Sequence, residues 1–495
     1  MDNILLAFET VFTFTSVMAI FLGVLIGIIM GVLPGLTVTM GVALLFPVTF
    51  TFDGISGILM LLGIYIGAVY GGSIPAILLN TPGTPASAAT MIEGNPMVKR
   101  GEAGRALKIS TTASGVGGII SNIILILIAP VLAGLALNFS APEYFALAIF
   151  GISIIVSIST ESVVKGLIGG VIGLSIATVG IDSVTGYTRF TFDSTYLMGG
   201  ISFIPILVGL FAFSQTLLSI EETYGQTIKK TKMKIKGFFP AKADLKATRG
   251  HMLRSGLIGT FIGTVPGTGG DIAAYVSYNE SKRFAKKPEE FGKGSIEGLS
   301  APEAGNNAVT GGAMIPMTTL GIPGDSVTAI ILGALMVQGI QPGPLLFEEQ
   351  PDQVYGLFVG LLIANVFMVI LGLIGIRYFA KVVDVPKYIL SPIIFILCFV
   401  GAFAINNSLI DVFVMVGAGI IGYFLLKLKF SMSPIVLGLI LGPMIESNMR
   451  RSLIMSEGDI SIFFTRPISA AFLLLTILAL CLPPLISYIK KRKAS

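Results

Sequence analysis

The sequence predicts an all-α, polytopic membrane protein with about 10–14 transmembrane segments. Two observations support this fold class. The 495 residues are 54% hydrophobic and only 12% charged, with a mean hydropathy of +0.89. Apolar runs of about 20 residues, the length that crosses the hydrocarbon core of a bilayer, also recur along the chain between short polar turns.

Composition excludes several other classes. The net charge of +5 favours cytoplasmic loops beside an anionic leaflet over nucleic-acid binding. Cys398 and Cys481 both lie inside apolar runs, where small buried side chains are expected and a disulfide or a metal site is not. His251 is the single histidine and is predicted in a basic loop. Any proton carrier within the membrane must therefore be a carboxylate.

The first apolar segment, residues 11–33, is preceded by Asp2 and Glu9 and by no basic residue. A signal peptide begins with a positive region, so a retained helix with an outside N-terminus is predicted here. First-half spans are also predicted at 55–70, 106–137, 142–159, 163–179 and 197–220, and second-half spans at 354–376, 388–405, 412–426, 434–445 and 468–489.

A basic stretch near the midpoint divides the chain. Residues 227–254 carry nine Lys and Arg residues and one acid, which predicts a cytoplasmic location by the positive-inside rule. The basic tail at 490–495 places the C-terminus in the cytoplasm as well. The predicted organisation is therefore a first repeat at 1–226, a linker at 227–254, a second repeat at 255–489 and the tail.

Three sequence landmarks recur in the same order in both halves. "IGIIMGVLPG" at 26–35 returns as "IGTFIGTVPG" at 258–267, "SIPAILLNTPG" at 73–83 matches "MIPMTTLGIPG" at 314–324, and "GNPMV" at 94–98 corresponds to "GALMV" at 333–337. Matched landmarks of this kind predict a duplicated unit, an organisation typical of transporters.

Charge predicts that the two copies have opposite orientations. The segment after the third landmark carries basic residues in the first copy and acidic residues in the second, so the equivalent loops are expected on opposite sides of the membrane. Such an inverted-topology repeat tends to place the substrate site near the bilayer midplane. The residues concerned are Lys99, Arg100, Arg105 and Lys108 in the first copy and Glu348, Glu349 and Asp352 in the second.

Each copy contains a predicted broken or re-entrant helical hairpin, near 71–95 and near 301–340. Pro75, Pro82 and Pro85 cannot all lie in one continuous helix, because proline lacks an N–H and clashes with the preceding turn. Broken backbone at membrane depth requires protein or water partners. Helix fragments that meet at Pro-Gly turns aim N-termini, each with about half a positive charge, at a common point that suits an anion.

Hydroxyl and amide groups at these turns can coordinate carboxylate oxygens or Na⁺. The alternative is that the small residues allow close helix packing and the prolines kink the helices; duplication of the motif favours a binding site. The predicted substrate-binding residues are Pro34, Gly35, Thr37, Ser73, Asn80, Thr81, Gly83, Thr84, Ser87, Thr268, Asn306, Asn307, Thr318, Thr319, Gly324, Ser326 and Thr328.

Several longer motifs resemble the large membrane subunit of the tripartite tricarboxylate transporters, the TctA family. They are "GVLPG", "YGGSIPAILLNTPGTPAS", "EGNPMVKRGEAGRAL", "APEAGNNAVTGGAMIPMTTLGIPG" and "GALMVQGIQPGPLLF", and the likeness covers nearly the whole chain. The family's signature regions fall on residues 34–35, 80–85, 266–267, 301–307 and 321–324.

The resemblance implies a prokaryotic secondary transporter of the cytoplasmic (inner) membrane, without a cofactor, that takes up citrate or other carboxylates. A Na⁺ or proton gradient is the implied driving force. An extracytoplasmic substrate-binding protein and a small membrane subunit are the implied partners, and a homo-oligomer stays open.

Three carboxylates are predicted as ion-coupling candidates. The resemblance points to Glu303 beside Asn306 and Asn307; a helix cap for Glu303, with the Asn pair closing backbone gaps, is the alternative. Asp271 and Asp325 stand where family members commonly carry small neutral or hydroxyl residues. A carboxylate at membrane depth is costly and therefore a functional candidate, although Asp325 also suits a helix N-cap. Two such charges would oppose citrate unless they bind a cation or are protonated, so monocarboxylates, dicarboxylates and zwitterions stay open.

The sequence thus favours a carrier that works by alternating access, with the hairpins moving against a scaffold in an elevator-like motion. An anion channel would also be compatible with inverted repeats and broken helices. An intramembrane enzyme that uses Asp271 and Asp325 is the other alternative, but no His or metal-ligand cluster supports it.

Overall fold

Apolar helices form most of the computed structural model, which describes residues 2–33, 35–52, 54–158, 162–182, 185–222, 239–382, 385 and 387–494. In chain order they are α1 (Asp2–Val11), α2 (Phe14–Val32), α3 (Val38–Leu45), α4 (Ser56–Gly71), α5 (Ser73–Leu79), α6 (Ser87–Lys99), α7 (Ala103–Ala136), α8 (Ala141–Ile158), α9 (Val163–Ala177), α10 (Thr195–Met198), α11 (Phe203–Leu207), α12 (Ser214–Glu222), α13 (Lys242–Gly263), α14 (Gly269–Arg283), α15 (Ile296–Leu320), α16 (Ser326–Val337), α17 (Leu346–Glu349), α18 (Pro351–Val382), α19 (Lys387–Asn406), α20 (Leu409–Lys427), α21 (Ser433–Met455), α22 (Ile462–Thr465) and α23 (Pro467–Ala494).

Seven of the described helical segments are long and apolar enough to cross a membrane. They are Phe14–Val32, Ser56–Leu79, Ala103–Ala136, Phe203–Glu221, Pro351–Val382, Ile389–Asn406 and Leu409–Lys427, with shorter apolar segments at Val38–Thr51, Ala141–Ser157, Val163–Ala177, Ser326–Val337 and Pro467–Cys481. The prediction of an all-α polytopic membrane protein is confirmed. The segment Val38–Thr51 was not among the predicted spans.

The chain forms two compact units. The first comprises Met1–Ala133 and Gln215–Leu409, and the second comprises Gly134–Ser214 and Ile410–Ser495. Each unit contains residues from both halves of the sequence. The predicted linker at residues 227–254 therefore divides the sequence but does not separate the two compact units.

Glycine-lined contacts hold two helix pairs of the first unit together. Helix α2 packs on α4, and α13 packs on α15. A Cβ added to Gly63 would lie 2.7 Å from the carbonyl oxygen of Ile20, and one added to Gly263 would lie 2.8 Å from that of Val309. Small residues allow such close backbone approach between membrane helices. Gly31 of α2 also lies against the backbone of α4, at Ala68. Gly31 and Gly263 occupy matching places in the first sequence landmark, so both helix pairs have a close glycine contact at this position.

The second unit packs α8, α9, α21 and α23 together. An antiparallel ribbon, β1 (Gly180–Ile181) with β2 (Thr188–Arg189), pairs Gly180 with Arg189 and Ile181 with Thr188. Arg189 contacts Glu446 at 2.6 Å, and Arg450 contacts Asp182 at 2.8 Å. These ion pairs connect the ribbon to α21.

The basic stretch is partly helical. Residues 227–238 of the predicted linker lie outside the described residues, but residues 242–254 form the start of α13. The prediction of a loop at His251 is wrong: the side chain is buried in α13 and its Nδ1 lies 2.7 Å from Ser281 Oγ. Asp244, in the first turn of α13, forms a bidentate ion pair with the Arg105 guanidinium, whose nitrogens lie 2.6 and 2.9 Å from the two carboxylate oxygens. This contact attaches the helix start to α7. Of the two cysteines, Cys398 is buried and Cys481 is exposed.

Candidate functional site

The two hairpins break with the same backbone geometry. Helix α5 ends at Asn80 (φ 58°) and α15 ends at Gly321 (φ 71°), both in the left-handed region. One residue later, Thr81 N–H donates to the Pro75 carbonyl at 3.5 Å, and Ile322 N–H donates to the Pro316 carbonyl at 3.3 Å. Both contacts reach a carbonyl six residues earlier in the chain, in the helix that ends there. The matched sequence positions therefore end their helices in the same way.

The helices after the breaks begin with matched reciprocal caps. Before α6, Thr84 N–H donates to Ser87 Oγ (3.1 Å) and Ser87 N–H donates to Thr84 Oγ1 (3.3 Å). Before α16, Asp325 N–H donates to Thr328 Oγ1 (2.9 Å) and Thr328 N–H donates to Asp325 Oδ1 (2.7 Å). Each arrangement satisfies two N–H groups that a helix start leaves open. Asp325 is thus the N-cap of α16, whereas Thr84 holds the matching position in the turn before α6, whose N-cap residue is Ala86.

Two Pro-Gly turns precede α3 and α14. Gly35 (φ 92°) and Gly267 (φ 84°) adopt positive φ values, which glycine tolerates because it has no Cβ. Gly267 N–H donates to the Gly324 carbonyl at 2.7 Å, so the turn before α14 contacts the turn before α16. Pro34, a predicted site residue, lies outside the described residues.

These four helix starts surround one cavity of about 180 Å³ in the first unit. Val38 of α3, Ala86 before α6, Gly270 of α14 and Val327 of α16 all line it. Pockets for drug-sized ligands typically measure about 300–1,000 Å³, so this cavity suits a small solute.

Two further helices complete the cavity with residues from matching positions. Tyr65 of α4 and Asn306 of α15 each lie ten residues before the first proline of the second landmark, Pro75 or Pro316. Both residues line the cavity. The same is true of Val69 and Thr310, each six residues before that proline. Residues at matching distances from the two landmarks therefore line one cavity.

The polar groups of the cavity are unevenly charged. Asp271 and Asp325 line it, and none of the described lining residues is Lys, Arg or His. Tyr65 Oη donates to Asp325 Oδ2 at 2.5 Å. Asn306 is 5% exposed, and its amide makes no hydrogen bond with another described residue. Positive potential therefore comes from the helix N-termini, and negative potential comes from the two carboxylates.

A buried carboxylate lies elsewhere in the first unit. Glu303 of α15 is fully buried and accepts four hydroxyl hydrogen bonds. Its position inside α15 excludes the helix-cap alternative, since Ser295 caps that helix. Among the described residues, no basic side chain pairs with it. The four donors are Ser73 (2.6 Å), Thr90, Ser110 (2.9 Å) and Ser114 (2.8 Å).

Other predicted residues lie outside the cavity wall. Thr318 and Thr319 are buried and donate to carbonyls of their own helix, at 2.9 and 2.7 Å. Thr268 likewise donates to the Ile262 carbonyl at 2.5 Å. Asn80 and Thr81 are exposed at the turn.

The remaining predicted residues have backbone, capping or packing positions. Asn307 donates to the Glu303 carbonyl at 3.4 Å and leaves its Oδ1 without a partner among the described residues. Thr37 caps α3 by accepting from Met40 N–H at 3.1 Å. Gly83 and Gly324 lie at close backbone approaches, where an added Cβ would be 2.8 and 2.6 Å from its nearest neighbour, and Ser326 begins α16.

The predicted site did not include Tyr65, Thr310 or three of the Glu303 donors. The sequence signal for two of these residues is their register with the second landmark, which pairs Tyr65 with Asn306 and Val69 with Thr310. Thr90, Ser110 and Ser114 lie on α6 and α7, far along the chain from Glu303, and carried no such signal. In the part of the chain that the structure describes, no three His, Cys, Asp or Glu side chains cluster as they would for a metal ion.

Comparisons with known proteins identify the family that the chain resembles. The family model "Tripartite tricarboxylate transporter TctA family" matches residues 17–437. An Agrobacterium vitis protein described as an uncharacterized 52.8 kDa protein in the TAR-I ttuC' 3' region is 39% identical over 472 residues, which cover 95% of this chain and 94% of that protein. A second A. vitis protein, from the TAR-II ttuC' 3' region, is 40% identical over 234 residues, or 47% of this chain and 97% of that protein. No solved structure matches the chain. Because the family model matches most of its length, the chain belongs to the tripartite tricarboxylate transporter TctA family.

Proposed function

We propose that the protein is the large membrane subunit of an ion-coupled secondary transporter that takes up small organic carboxylates. Family membership supports the role of a transporter subunit. The observation that carries the substrate class is the meeting of four helix N-termini, those of α3, α6, α14 and α16, at one small cavity. Helix N-termini present N–H groups and positive potential, which favour a carboxylate.

Transport is coupled to a gradient of Na⁺ or H⁺ in this proposal. Glu303 supports it, because a carboxylate buried among hydroxyls without a basic partner is costly and is a functional candidate at membrane depth. The hydroxyls of Ser73 and Ser110 that now donate to Glu303 can rotate to accept a hydrogen bond from a protonated Glu303 or to bind a cation through their oxygens.

The carrier works by alternating access, with the two hairpins moving relative to the remaining helices of the protein. An extracytoplasmic binding protein delivers the solute, and a small membrane subunit completes the system; family membership supports both partners. The protein lies in the cytoplasmic membrane, with its N-terminus outside and its C-terminus inside.

Uptake by proteoliposomes tests this function. The subunit is reconstituted with the binding protein and small subunit that the proposal requires, and labelled carboxylates are supplied under an imposed Na⁺ or pH gradient. Asn306→Ala is expected to reduce uptake about tenfold, because the cavity loses an amide donor worth roughly 1–1.5 kcal/mol, while the unfolding temperature is unchanged. Asn138→Ala, an exposed amide in the second unit, is the matched control.

Equal uptake by the Asn306→Ala and control variants would contradict the site assignment. Solute that never accumulates above its equilibrium level, despite the ion gradient, would identify a channel in place of a carrier.

A further inference from the structure

The four helix starts around the cavity differ in charge between the two copies. In the first copy, Thr37 caps α3, and Thr84 lies in the turn three residues before the start of α6. In the second copy, Asp271 lies in the first turn of α14 and Asp325 caps α16. Each N-terminus carries about half a positive charge, so the four together supply roughly +2, which the two carboxylates offset. The cavity therefore presents both signs of charge and is close to neutral in total.

The two carboxylates are not equally available to a ligand. Asp325 accepts from Thr328 N–H at 2.7 Å and from Tyr65 Oη at 2.5 Å, so the helix cap and the tyrosine occupy both of its oxygens. Asp271 makes no side-chain hydrogen bond with any described residue, and it lines the cavity. Asp271, whose side chain is exposed, therefore has all of its acceptor positions open, whereas both oxygens of Asp325 already accept hydrogen bonds.

The amide of Asn306 is a second group that lacks a partner. The residue lines the cavity, is 5% exposed, and forms no side-chain hydrogen bond with the rest of the described chain. A buried amide normally has its hydrogen bonds satisfied, and this one has a donor and an acceptor that a solute can use together.

We propose that the cargo is a small zwitterion, an amino-carboxylic acid. Asp271 binds its ammonium group, and the N-termini of α3 and α6, together with the Asn306 amide, bind its carboxylate. This inference rests on the proposed transporter function and narrows its substrate class. A dianion or trianion would meet two carboxylates and no basic side chain among the described lining residues, whereas a zwitterion matches both signs of charge. The volume of about 180 Å³ limits the cargo to a small molecule.

Matched pairs of probes that differ by one amino group test the proposal. Alanine is compared with propionate, and aspartate with succinate, through the shift in unfolding temperature and calorimetric affinity of the purified protein in nanodiscs, with and without Na⁺. The amino probes are expected to bind and their partners to bind much more weakly. Asp271→Asn is expected to weaken amino-probe binding about tenfold. Glu280→Gln, which removes a carboxylate from α14 away from the cavity lining, is expected to leave it unchanged.

The outcomes separate this inference from the function on which it rests. Equal binding of amino and des-amino probes, unaffected by Asp271→Asn, overturns the zwitterion and leaves a carboxylate transporter. If the des-amino probes bind only with Na⁺ and this binding is lost in Asp271→Asn, Asp271 binds a coupling cation. That outcome also overturns the zwitterion. If a folded protein binds none of the probes and proteoliposomes take up none, the proposed function itself is contradicted.

Discussion

Glu303 is held in the interior of the first unit by hydroxyl groups in place of a counter-charge. Ser73, Thr90, Ser110 and Ser114 come from three different helices, α5, α6 and α7. Hydrogen bonds to a charged acceptor recover part of the solvation that a buried carboxylate loses. The site therefore depends on all of its donors, and removing one leaves an oxygen of Glu303 partly unsatisfied.

Ser110→Ala is expected to lower the free energy of unfolding by about 1.5–3 kcal/mol, the range for a hydrogen bond to a charged group. The control is Thr112→Val on the same helix, whose hydroxyl donates to its own backbone at Lys108 (2.9 Å); its effect is expected to stay within about 0.5 kcal/mol. Denaturant unfolding in detergent measures both variants. Equal losses would show that Glu303 gains nothing from Ser110.

Gly267→Ala is expected to destabilise the protein by about 1–2 kcal/mol, because an L-residue is strained at its φ of 84°. Gly250→Ala provides a control of opposite sign. It lies within α13, where an added Cβ meets nothing within 4 Å, and alanine is expected to stabilise a helix interior there by about 0.5–1 kcal/mol. Unfolding midpoints of the two variants that move in the same direction would contradict the strain argument.

At the scale of elements, Glu93 connects the first hairpin to the segment before α15. Its carboxylate accepts from the N–H groups of Gly292 (2.5 Å), Gly294 (2.7 Å) and Ser295 (2.8 Å), and from Tyr278 Oη (2.8 Å). Three backbone donors on one carboxylate fix the path of that segment. The hairpin of the first copy and the helix pair of the second copy are therefore attached to each other at a point away from the cavity lining.

Glu93→Gln is expected to release this attachment, because a neutral amide offers only one acceptor oxygen to three backbone donors. Hydrogen-exchange mass spectrometry should show faster exchange at residues 292–295 by about tenfold or more, since roughly 1.4 kcal/mol of protection is lost per decade. Glu289→Gln, an exposed acid in the same segment, should leave the exchange unchanged. Unaltered exchange in Glu93→Gln would show that other contacts hold the segment.

At the scale of the whole molecule, hydropathy predicted the fold class because membrane helices must be long and apolar. The repeat landmarks also identified both helix breaks, since proline spacing is a local signal. The composition of the two units was not predictable in this way, because each unit combines distant parts of the chain. The direction of individual side chains was not predictable either. Thr318 and Thr84 are both threonines close to a Pro-Gly turn, yet Thr318 donates to a carbonyl of its own helix and Thr84 lines the cavity.

The predicted inverted topology can be tested by labelling single cysteines. In a Cys398→Ala, Cys481→Ala background, Lys99→Cys is expected on the cytoplasmic side. It should therefore react with a membrane-impermeant thiol reagent only after the cells are permeabilised. Glu348→Cys is expected to react in intact cells, because the two loops follow matching landmarks but carry opposite charge. Labelling of both positions from one side would contradict an inverted repeat.

The two matched helix breaks show that the charge at the cavity can differ while the local structure stays the same. Each break is followed by a side chain that hydrogen-bonds to the start of the next helix. Thr84 shows that a hydroxyl performs this task, and Asp325 shows that a carboxylate does. A single codon change at such a position can therefore alter the charge offered to the solute while the helix keeps its start. Selectivity can diverge among relatives without an intermediate that fails to fold.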